Sequence, residues 1–164
     1  MKKLKYFIIS AMAAGIFAGC SSDDDNGSRS MAGTYELTAV DIPKNVDFNG
    51  DETASSNLIT ESVCYENSYI ELNSDNTYSS VYNYVLITTE VVCESDESTG
   101  TWEVSGDKLI LTNTMIEPPI TIEYDIREND EITLARPNSP YPDRDAEGNA
   151  IYSTGNVSLT YTKI

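Results

Sequence analysis

Ile120-Thr121-Ile122-Glu123-Tyr124-Asp125-Ile126 puts an apolar side chain at every second position and a polar one between each pair. Successive side chains of a strand point to opposite faces, so a period of two describes a strand with one buried and one wet face. The same alternation recurs on both sides of it. Tyr35, Leu37 and Ala39 alternate with Thr34, Glu36 and Thr38, and shorter cases are Ile70/Leu72, Trp102/Val104, Leu109/Leu111, Ile132/Leu134 and Val157/Leu159/Tyr161. Thr77 to Thr89 is longer, with Tyr78, Tyr82, Tyr84 and Leu86 on one face and Val81, Val85 and Ile87 on the other. Turn-forming clusters separate these segments: Asn73-Ser74-Asp75-Asn76, Ser105-Gly106-Asp107, Glu117-Pro118-Pro119 and Glu128-Asn129-Asp130. About eight strands joined mostly by short hairpins predict an all-β, antiparallel barrel or sandwich. No helical stripe of useful length competes. Thr53 to Glu61 is expected to form one or two helical turns capped by Ser55 or Ser56, and 41–63 and 137–155 are expected to be irregular.

The chain begins differently. Lys2, Lys3 and Lys5 precede an uncharged run from Tyr6 to Ala18, the basic and apolar regions of a secretory signal peptide. The run is too short to span a bilayer as a helix, which takes roughly 20 residues. Phe17-Ala18-Gly19-Cys20 resembles a bacterial lipobox, which implies that the Cys20 thiol is acylated and becomes the mature N-terminus. Ser21-Ser22-Asp23-Asp24-Asp25 resembles the serine and acidic tract of surface-exported lipoproteins of the Bacteroidota. It is also a polar tether that buries nothing. The chain therefore reads as a signal peptide over 1–19, a lipid anchor and acidic tether over 20–30, and one domain over 31–164. The expected location is the outer membrane, lipid-anchored and facing outward. Several acyl chains would hold it firmly, at about 0.8 kcal/mol per buried CH₂.

The full chain has 10 basic and 27 acidic residues, and without the three leader lysines seven face 27, a net charge of −20. Such a surface repels phosphate backbones and anionic headgroups, which argues against nucleic acid and against basic-patch membrane binding. It suits a soluble, self-repelling monomer. Apart from Cys20 the cysteines are Cys64 and Cys93. An exported, oxidising setting and an even count favour a disulfide between them, which stabilises by roughly 3–4 kcal/mol in the chain-entropy model.

Gly33-Thr34-Tyr35 opens the first strand as a Gly-x-Trp motif opens lipocalins, and Thr99-Gly100-Thr101-Trp102 repeats the signature before a later strand. With Cys64, the turn Asn73 to Thr77 and Cys93 between them, this order resembles the lipocalin-like domain of Bacteroidota lipoproteins over most of 31–164. The resemblance implies an up-and-down meander closed into a barrel, either filled by side chains or holding one small ligand.

No histidine occurs, which excludes Ser-His-Asp and Cys-His catalysis and His-ligated zinc. No Gly-rich phosphate loop is present, and no catalytic constellation can be named. A non-catalytic protein is expected, with no cofactor. The oxygen-rich Asp47-Phe48-Asn49-Gly50-Asp51-Glu52 offers Asp47, Asn49 and Asp51 as calcium ligands, but Asp, Asn and Gly also favour a plain polar turn. Ten tyrosines follow the leader. Tyr78, Tyr82 and Tyr84, with Trp102, are candidates to line a pocket for a small apolar or amphipathic ligand, or they pack the long strand, and Trp102 is expected in the core. The rival function is a filled barrel acting through acidic loops at 41–63 and 137–155 as an interaction or inhibitor protein. An empty or a packed lumen separates the two.

Overall fold

The computed structural model describes residues 30–164, so the signal peptide, Cys20 and the aspartate tether lie outside the described residues. Nine strands form one antiparallel sheet: β1 (Gly33–Val46), β2 (Ser55–Asn57), β3 (Tyr69–Leu72), β4 (Thr77–Ile87), β5 (Val91–Ser105), β6 (Lys108–Asn113), β7 (Ile120–Ile126), β8 (Glu131–Arg144) and β9 (Ala150–Lys163). From β3 onward each strand pairs with the next, β1 pairs with β3, and β9 returns to β1. Eight strands thus close a barrel, and β2 is a three-residue addition to the outer part of β1. The expected meander is what forms.

Most of the alternation seen in the sequence is the inward face, although Val104 and Ile120 are exposed. Tyr35, Ile70, Leu72, Tyr78, Leu109, Leu111, Tyr124, Ile132, Leu159 and Tyr161 are all buried in one cluster. On β1 the register against β9 shifts between Leu37 and Ala39, and beyond it Val40 and Ile42 are buried instead of Ala39. An extra residue at a bulge changes the phase of the pleat, which a strict period of two cannot foresee. The buried apolar side chains belong to the barrel itself, so residues 31–164 carry their own core and are expected to fold without the preceding segment.

Two expectations change. Thr53 to Glu61 is not helical: Ser55–Asn57 pairs with β1, and the only helical turn nearby is Val63–Tyr65, capped by the Ser62 hydroxyl. Asn57 draws the chain to β1, because its side-chain oxygen accepts the Val40 amide. The stretches 41–63 and 137–155 are not wholly irregular either, since β1 runs to Val46 and the β8–β9 hairpin reaches Arg144 and Ala150. Pro137, Pro140 and Pro142 are tolerated there because β7 pairs with β8 only at Asp125↔Thr133 and Ile126↔Ile132. Beyond that point β8 has one neighbour, β9, and an edge strand accepts proline.

Candidate functional site

The strands differ in length, and this opens the barrel wall. β5 is paired with β6 from Gly100 to Ser105, so its earlier half, Val91 to Thr99, has β4 alone as sheet neighbour. The later half of β8 has β9 alone. The short β6–β7 hairpin lies between these two long hairpins, and above it the wall is incomplete. Tyr152 of β9 ties the long hairpins together, its hydroxyl donating to Val85 O (3.1 Å) and accepting from the Ile87 amide (3.0 Å).

Inside lies a cavity of about 460 Å³. Its walls come from every strand between β3 and β9, with Ile70, Tyr78, Leu111, Ile122, Tyr124 and Tyr161 on its inner side. Asp96, Glu97 and Ile116 stand at its exposed margin. A second cavity of about 330 Å³, bordered by Tyr65, Tyr84, Pro140 and Tyr152, shares Tyr82, Asp96 and Arg136 with the first. Small-molecule sites begin at about 300 Å³, so the lumen has room for one.

Of the residues singled out from sequence, Tyr78 and Tyr82 border the main cavity, and Tyr82 and Tyr84 the second. Tyr82 and Tyr84 stack, with ring centroids 5.7 Å apart. Trp102 borders neither. It is half-buried against the core, and its indole N–H donates to Asn73 O (2.9 Å) while its amide donates to Asn76 O, fastening the β3–β4 turn to β5. Burial pushes the Tyr82, Tyr124 and Tyr161 phenols above their ordinary pKa, Tyr124 to about 12, and they stay neutral at physiological pH. Arg136 acts in the opposite direction on all three.

Arg136 was missed from sequence, although Ile132, Leu134 and Arg136 share one phase of β8. That phase places it on the buried face. Its guanidinium lies 5.3 Å from the centroid of the Tyr82 ring.

This closed meander of antiparallel strands around a lumen is matched by the family model of the lipocalin-like domain over residues 31–163. The chain belongs to the lipocalin-like domain family. No curated protein and no solved structure matches it.

In this lipocalin-like domain, Cys64 and Cys93 form a disulfide, Cα to Cα 5.0 Å, which fastens the Val63–Tyr65 turn to the free half of β5. Tyr65, on that turn, reaches the second cavity. Asp47, Asn49 and Asp51 fall in one turn, and their oxygens are engaged within it. The Asp47 carboxylate accepts the amides of Gly50, Asp51 and Glu52, Asn49 Oδ1 accepts that of Asp51, and Asp51 Oδ1 that of Thr53. Among the described residues, no group of three or more Asp, Glu, Cys or His side chains is arranged to hold a metal ion.

Proposed function

We propose that this protein is a lipid-anchored carrier: Cys20 holds it on the outer membrane, facing outward, and its barrel binds a small amphipathic molecule without altering it chemically. The observation that carries the reading is the cavity of about 460 Å³, with buried Ile70, Leu111 and Tyr124 on one side and an incomplete wall on the other. A barrel working only through its outer surface would gain stability by filling that space, since interiors pack to crystal-like density. Family membership supports the same reading, and the lack of histidine removes the commonest general base.

Native mass spectrometry of residues 31–164, purified from cells exporting the protein, tests the carrier role. A discrete adduct that leaves on denaturation is expected. Repeated recovery of bare protein that also takes up nothing from a total lipid and metabolite extract would overturn it and favour the surface-interaction reading. For the anchor, Cys20→Ala is expected to move the protein from the membrane to the soluble fraction. Changing Asp23, Asp24 and Asp25 to alanine is expected to remove protease accessibility on intact cells. The oxygens of Asp47, Asn49 and Asp51 already accept backbone amides, so the melting temperature is expected to be the same in millimolar calcium as in EDTA.

A further inference from the structure

We propose that the lumen selects an anionic amphipathic molecule, gripping its carboxylate, sulfonate or phosphate with Arg136 and the phenol hydroxyls of Tyr82, Tyr124 and Tyr161. The proposal rests on the carrier reading and narrows its ligand class.

Arg136 stands apart from the other described cations. Lys44 pairs with Asp143, Lys108 and Arg127 pair with Asp125, Arg144 donates to Phe48 O and Gly148 O, and Lys163 lies over the Tyr35 ring and has a further partner. Among the described residues no carboxylate lies within ion-pair distance of Arg136 and no hydrogen bond uses its guanidinium, which lies over the Tyr82 ring. A guanidinium carries five N–H donors in a planar fork that fits a carboxylate or similar anion with two parallel bonds. Here the fork is half-buried and borders both cavities.

The tyrosines extend the donor set. Tyr82, Tyr124 and Tyr161 line the same cavity, and their hydroxyls have no hydrogen-bond partner among the described residues. Yet among the described residues no buried side-chain oxygen or nitrogen is left without a partner, so these three hydroxyls must reach open space. Burial keeps them protonated, and a protonated phenol can donate. The guanidinium and three phenols therefore supply donors to one volume whose remaining wall, Ile70, Leu111 and Ile122, is apolar. An amphipathic anion matches both halves.

Charge sharpens the argument. Outside the leader the chain has seven cations against 27 acids, so an unpaired arginine inside a cavity does not serve solubility. Asp96 and Glu97 border the cavity too, but both side chains are exposed and screened by water. They oppose an anion at the entrance more weakly than the half-buried Arg136 attracts it within.

Two probes sharing one aromatic body separate this from carriage in general: 8-anilinonaphthalene-1-sulfonate and its uncharged analogue N-phenyl-1-naphthylamine. In fluorescence titrations of residues 31–164, the sulfonate is expected to bind once per barrel and at least about tenfold tighter than the neutral probe, as hydrogen bonds to a charged group allow. Arg136→Met is expected to erase that preference, Arg136→Lys to keep part of it, and Asp96→Asn to increase it. In the wild-type protein, the Arg136 side-chain N–H resonance is expected to move downfield with the sulfonate, as a hydrogen-bonded N–H does, and not downfield with the neutral probe, a readout independent of any variant's folding. Equal binding of both probes, or a sulfonate preference that survives in Arg136→Met, would overturn the anionic site and leave carriage standing. Failure of both probes to bind would overturn the two together.

Discussion

Gly100 shows what one residue contributes to this wall. A Cβ at that position would lie 1.9 Å from the carbonyl oxygen of Thr112 and 3.0 Å from Cε1 of Tyr78. Backbone cannot yield as a flexible side chain does, so Gly100→Ala is expected to lower stability by about 2–3 kcal/mol in chemical denaturation, as overpacking does. A change within error would mean that β6 shifts freely. In the sequence Gly100 belongs to a motif resembling the lipocalin signature, and its physical reason is the close approach of β6. The candidate site was legible unevenly at this scale. Tyr78, Tyr82 and Tyr84 stand out by spacing and do border the cavities, whereas the Trp102 indole is turned to the carbonyl of Asn73. Arg136 carries a signal only once its phase with Ile132 and Leu134 is followed past the point where Pro137 suggests that the strand ends. Asp143 is buried and its carboxyl is shaped by neighbours. Burial pushes its pKa up, but hydrogen bonds from Lys44, Ser153 and the Arg144 amide outweigh this and hold it below the usual range. A depressed carboxylate stabilises the fold above its ordinary value near 4 and loses that contribution as pH falls through the folded value. Asp143→Asn is therefore expected to cost about 1–2 kcal/mol at pH 7, reduced from a full buried pair because Lys44 is half exposed. The difference from wild type should shrink toward pH 2. A gap that stays constant across that range would rule out the ionised form as its cause.

Among the elements, the long β4–β5 hairpin is the one most in need of support, because Val91 to Thr99 has a sheet neighbour on one side only. The Cys64–Cys93 bridge meets that need by fastening the outer half of β5 to the Val63–Tyr65 turn, across a sequence separation of 29. Cys93→Ser is expected to cost roughly 3 kcal/mol against unfolding, in line with loop closure of this length. It is also expected to weaken probe binding, since Tyr65 on the stapled turn borders the second cavity. A serine variant of wild-type stability and affinity would show that the turn holds its place by packing alone. The elements themselves were readable where alternation continues without interruption, as in β7. They were not readable where a long-range partner decides. The bulge between Leu37 and Ala39 depends on closure against β9, and β2 exists because Asn57 hydrogen-bonds β1. The proline-bearing half of β8 survives because no strand lies on its far side. A local pattern carries none of these.

At the scale of the whole molecule, the barrel is closed by two seams of unequal strength. β1 and β9 meet along six residue pairs, from Tyr35↔Lys163 to Asp41↔Ser158, with β3 and β2 also holding β1. β7 and β8 meet at two pairs only, and directly above them lie Ile122, Tyr124 and Arg136 of the main cavity. A bound molecule would pass this short seam beside the incomplete wall, and the seam with fewer residue pairs opens at the smaller free energy. The amides that cross it, that of Arg127 donating to Glu131 O and those of the Asp125↔Thr133 pair, are therefore expected to exchange with deuterium at least about tenfold faster than those of the β1–β9 seam, through an opening well short of global unfolding. Filling the lumen with 8-anilinonaphthalene-1-sulfonate is expected to slow the first group and leave the second, already limited by global stability, comparatively little changed. Equal protection at the two seams in the free protein would mean that the wall opens elsewhere, and protection gained on binding at the end near Tyr84 and Tyr152 would place the entrance there.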